Sequence, residues 1–101
     1  MDKNLQESYI AKMTDCLPVL RKQANLTQGE LAEIIGVSKF TVLAIEKKQR
    51  AMSWGAFLSL LFVFSKNEQT DKLLKVYGID TNDINRLINQ SEPTADLKEK
   101  N

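Results

Sequence analysis

The chain contains no histidine and a single cysteine, Cys16. Without a second cysteine, no intrachain disulfide can form. Without histidine there is no imidazole for acid–base work, no Ser-His or Cys-His nucleophilic pair and no ordinary zinc site. Cys16 stands beside Leu17 in an apolar context and reads as a small buried hydrophobe rather than a reactive thiol. Long apolar runs are missing as well. The longest, "AFLSLLFVF" at 56–64, falls far short of the roughly 20 residues that span a bilayer. The opening "MDKNLQESYI" holds no apolar stretch of the kind that directs secretion. No Gly-rich phosphate loop occurs, and the tyrosines, carboxylates and lysines show no catalytic spacing. The expectation is a soluble, cytoplasmic protein that is not an enzyme and uses no metal, cofactor or membrane.

Alternating strand runs and Asn-Gly hairpin turns are also absent, so what remains is helical. At 101 residues a chain buries roughly 60–70% of its unfolded surface, enough for one core without staples. The spacing predicts a single helical domain over 1–90. Leu5, Tyr9, Ile10 and Met13 recur at helical intervals. Thr14 or Asp15 is the candidate cap of a next stretch, "CLPVLRKQA". Pro18 suits the first turn of a separate helix, or else kinks a continuous one. Ser53 caps "WGAFLSLLFVFSK". Asn67 or Thr70 opens "DKLLKVY", closed by Gly78. Thr81 or Asn82 opens "DINRLINQ", giving C-terminal helices within 67–90. The polar tail over 91–101 carries one lone leucine and is expected to be disordered.

The net charge of +1 says little, but its distribution is uneven. Residues 36–50 hold Lys39, Lys47, Lys48 and Arg50 against Glu46 alone, and the flanking segments are slightly acidic. This basic segment adjoins the most informative stretch, "TQGELAEIIGVSKFTVLAIE" at 27–46. Thr27 with Glu30 three residues on is a capping box. Leu31, Ile34 and Ile35 form an apolar stripe. Gly36 fits a left-handed turn and Ser38 caps the next helix. Ala32 permits close helix crossing, Val37 plugs the turn, and Val42 and Ile45 face inward. Two helices joined by a three-residue glycine turn make a helix-turn-helix pattern.

The residues "LRKQANLTQGELAEIIGVSKFTVLAIEKKQR" and the following "SWGAFLSLL" resemble the Cro/C1-type (xenobiotic-response-element) helix-turn-helix family, which includes phage repressors and Cro proteins. The resemblance covers roughly Leu17 to Phe64. It implies an all-α, five-helix lambda-repressor-like domain, here with an extra C-terminal helix. It further implies a bacterial or phage-encoded transcriptional regulator that binds double-stranded DNA as a homodimer and represses or activates transcription, with repression the favoured reading. By the same resemblance, Thr27 and Gln28 touch phosphate, and Ser38, Lys39, Phe40, Thr41 and Ala44 face the bases. Lys47 and Lys48 hold the DNA backbone beyond the recognition helix. Arg21 and Glu46 form a structural ion pair.

The sequence departs from the family pattern in two places. Helical geometry turns Phe40, Leu43, Ala44 and Lys47 away from Val42 and Ile45. Three of those four are apolar, where resembling proteins carry hydrogen-bonding side chains. Either this face reads thymine methyls with help from DNA shape, or it binds a protein, as in an adaptor or antitoxin-like module. Second, Leu60, Phe62 and Val63 widen the apolar face of 54–65 almost all round. Such a helix must be covered, by the C-terminal helices (Leu73, Leu74, Val76, Tyr77, Ile79, Ile84, Leu87, Ile88), by a second subunit, or by both.

Overall fold

The computed structural model describes residues 2–91, with side chains described as far as Arg86. Of the expected tail over 91–101, Ser91 is the last residue of the sixth helix; the rest of the tail and the side chains of Leu87 and Ile88 fall outside this description. Six helices follow one another: α1 (Lys3–Gln23), α2 (Gln28–Ile35), α3 (Lys39–Glu46), α4 (Trp54–Ser65), α5 (Glu68–Val76) and α6 (Thr81–Ser91). No strand occurs among the described residues, and the fold is the all-α, lambda-repressor-like arrangement expected.

Local capping chemistry sets most boundaries. The Ser38 hydroxyl accepts the Thr41 amide at 3.1 Å, and that of Ser53 accepts the Ala56 amide at 3.0 Å. Asn67, rather than Thr70, opens α5: its carboxamide oxygen accepts the amides of Gln69 and Thr70. Thr70 is buried instead, and its hydroxyl donates to the Phe64 carbonyl at 2.5 Å, tying α5 to the end of α4. Asp80, rather than Thr81 or Asn82, caps α6 by accepting the Asn82 amide at 2.8 Å.

The N-terminal region is one helix, not two. Thr14 does not cap anything; its hydroxyl bonds back to the Ile10 carbonyl. Pro18 lies inside α1, where a proline costs about 3 kcal/mol or more. Buried Tyr9, Met13, Cys16, Leu17 and Leu20 run along one face on both sides of it. Each contributes up to about 1.5–3 kcal/mol by leaving water, which outweighs the interruption. Burial also pushes the Cys16 thiol up to about 11, so it stays un-ionised at neutral pH and is a poor nucleophile.

The core joins this face of α1 to Leu31, Ala32, Val42, Ile45, Met52, Phe57, Phe64, Leu74, Ile79 and Ile84. α4 sits centrally, packed against α1, α2 and α5. It is not covered all round. Leu60 is fully buried within the chain and Val63 is half-buried, while Phe62 is 64% exposed. Leu60 therefore belongs to the core and not to a subunit interface. Val76 is exposed and does not cover α4.

Candidate nucleic-acid interface

The connection between α2 and α3 is built from short-range chemistry. The Thr27 hydroxyl accepts the Glu30 amide at 3.0 Å, and the Glu30 carboxylate accepts the Thr27 amide at 2.8 Å. α2 ends at Gly36, φ 79°, and the Val37 amide bonds back to the Ala32 carbonyl at 2.9 Å. A residue with a Cβ strains at that φ, costing roughly 1–2 kcal/mol. Val42 and Ile45 are buried behind α3, and Ala32, also buried, lets the two helices approach. Ile34 departs from the expected stripe. It is 55% exposed because Leu31 and Ile35, four apart, occupy the inner row and Ile34 lies about 100° from Ile35.

A buried polar network fixes the end of α3. Arg21 Nε donates to Glu46 Oε2 at 2.7 Å, and Nη2 donates to Oε1 at 3.2 Å. The two side chains are only 12% and 7% exposed. Arg21 Nη1 also donates to the Leu26 carbonyl at 3.0 Å. One guanidinium thereby links α1, the turn before α2 and the C-terminal end of α3. Gln28 joins the same carboxylate, donating from Nε2 to Glu46 Oε1 at 3.0 Å.

Beside this network, the N-terminus of α2 opens as a polar concavity lined by Arg21, Thr27, Gln28, Gly29 and Lys39. Its first-turn amides have no acceptor within the helix, and the helix dipole favours an anion there. The Lys39 stem crosses Gly29, where a Cβ would lie 3.8 Å from Lys39 Cδ. An ammonium and a helix N-terminus therefore border one hollow.

Residues 20–53 match the family model described as helix-turn-helix. The segment is similar to helix-turn-helix motifs of the Cro/C1 type. The match covers about a third of the chain and supports a DNA-binding regulator of that type. No curated protein and no solved structure matches the chain.

Within this helix-turn-helix the candidate residues divide by placement. Ser38, Lys39 and Phe40 are exposed at the start of α3, and Thr41 and Ala44 are half-buried along it. Leu43, expected on the outward face, is also half-buried, so Phe40 alone dominates that face at 76% exposure. Lys47 is exposed at the C-cap of α3. Gln28, at the start of α2, donates from its amide group to Glu46. Lys48 adopts φ 61°, and its ammonium meets Asp15 of α1 at 2.8 Å. The left-handed turn after α3 swings this side chain back towards α1.

Arg50 was not among the expected contacts, yet it reaches back to the recognition helix. Its Nη1 donates to Thr41 Oγ1 at 3.4 Å. The signal was present in the basic segment, but Arg50 lies beyond the helix, where no periodicity assigns a direction. Among the described residues no group of histidine, cysteine or carboxylate side chains is placed to hold a metal. No described helix is long and apolar enough to cross a membrane.

Proposed function

We propose that this chain is a transcriptional repressor that inserts α3 into the major groove of duplex DNA as a homodimer. One juxtaposition carries the reading. Lys39, the first residue of α3, borders the anion-ready N-terminus of α2, Lys47 stands exposed at the other end of α3, and Arg50 reaches Thr41 between them. The only acidic side chain of α3, Glu46, is already paired with Arg21. Thr27 and the α2 amides would take one phosphate and Lys47 another, while Ser38, Lys39, Phe40, Thr41 and Ala44 meet base edges. Repression is read from the resemblance to phage repressors and Cro proteins.

A gel-shift selection from random duplexes tests this function. A recovered palindrome with half-sites about one helical turn apart, roughly 34–36 Å, is the expected result for a two-fold dimer. Affinity should fall steeply with salt, with Lys47→Ala reducing the slope of log K against log salt by about 1 per half-site. Binding to no duplex, or binding that ignores salt, would sink the proposal. The exposed Phe40 ring favours one second reading, a protein-docking module on the same fold. Apolar docking would be nearly insensitive to salt, which separates the two.

The homodimer is assigned to the outer face of α4. Phe62 and Ile34 are exposed there and share a groove with Leu58 and Val63, edged by Lys66. Lys66 Nζ lies 4.6 Å from the Phe62 ring centre. Phe62→Glu should convert a self-associating protein into a monomer in sedimentation equilibrium and leave the helix content by circular dichroism unchanged. Identical self-association of the variant and the wild type would move the interface elsewhere.

A further inference from the structure

We infer that the Phe40 ring reads the C5-methyl of thymine, and that this contact makes the sequence preference A·T-directed and methyl-dependent. The inference rests on the DNA-binding reading above and specifies how that site chooses its bases. At 76% exposure, Phe40 is the most exposed aromatic side chain described, and it lies in the first turn of α3. The core does not use it, since Val42 and Ile45 fill the inward side. In this motif the N-terminal part of the recognition helix penetrates deepest.

The neighbouring polar groups are partly occupied within the chain. Ser38 Oγ and Thr41 Oγ1 lie 3.0 Å apart and bond to each other, and the Arg50 guanidinium reaches Thr41. The half-buried Leu43 and Ala44 behind them offer no hydrogen bond. An exposed apolar ring on a helix that starts at Lys39 and is followed by Lys47 is an odd surface for water. It is complementary to a major groove, which presents phosphates at its margins and one apolar group on its floor. That group is the thymine methyl, absent from cytosine, guanine and adenine. The charges at Lys39, Lys47 and Arg50 thus select a polyanion, and the ring selects the base within it.

The probe is a duplex recovered from the random library, with its thymines replaced singly by deoxyuracil. Uracil keeps every hydrogen-bonding group and removes only the methyl. Losing one buried methyl should lower wild-type affinity about fourfold per contact, and Phe40→Ala should lose a similar factor on the thymine duplex. Uracil should then cost Phe40→Ala nothing further at the contacted position. The unchanged urea midpoint expected for so exposed a side chain verifies that the variant is folded. Equal uracil losses in both proteins, or no uracil effect at any position, would overturn the inference while leaving DNA recognition intact. Failure to recover any duplex would overturn both.

Discussion

Glu46→Ala should lower the stability of the fold by about 3–5 kcal/mol, the range for breaking one side of a buried ion pair. The reason is the guanidinium left behind. Arg21 is 12% exposed and gives two hydrogen bonds to Glu46. Without the carboxylate it keeps its charge and retains only the Leu26 carbonyl as a described partner. Gln28 loses an acceptor in the same substitution. A domain of this size is typically stable by about 5–15 kcal/mol, so the variant would sit near the edge of folding. Urea unfolding followed by circular dichroism measures it. Arg21→Met combined with Glu46→Leu should recover much of the loss, because removing both charges leaves neither one unpaired. A midpoint unchanged in Glu46→Ala would mean the pair contributes nothing, and Arg21 would return to the candidates for DNA contact. DNA affinity should fall with Glu46→Ala as well, since this network holds the end of α3 against α1.

Phe57→Ala should cost a comparable amount, about 3–5 kcal/mol, by a different mechanism. Phe57 is fully buried in the first turn of α4. Its ring stacks on Trp54 at 4.7 Å between centres and lies 6.0 Å from that of Tyr9 on α1. Alanine would leave a void lined by rings from two helices that cannot both close on it. The single tryptophan, Trp54, gives the fluorescence reporter for urea unfolding. Phe40→Ala is the matched control, because the same truncation at an exposed position should shift stability by no more than about 0.5 kcal/mol. Equal losses at the two positions would contradict the packing described for α4 and the exposure described for α3.

These paired substitutions show why some features were legible in the sequence and others were not. The capping box at Thr27 and Glu30, the caps at Ser38 and Ser53, and the left-handed turns at Gly36 and Gly78 all act within a few residues. Their chemistry is complete in a short window, so reading the window suffices. The same holds for Val42 and Ile45, whose spacing forces a shared face. Pro18 left two readings open for the opposite reason. Local rules place a helix boundary near it, but burial of side chains on both sides keeps α1 continuous.

The sequence by itself determined that this chain is helical, that two of its helices meet at a glycine turn, and that positive charge gathers after the second. Tertiary structure alone decided which members of the apolar runs face water. Leu60 and Phe62 are two residues apart on one helix, yet α4 packs against its neighbours so as to bury the first and leave the second out. It also decided how the cations divide. Lys48 turns to Asp15, 33 positions earlier in the chain, and Arg50 turns to Thr41 on the recognition helix. Long flexible side chains take their direction from partners brought near by folding. Helical periodicity stops at the end of the helix and holds no record of those partners.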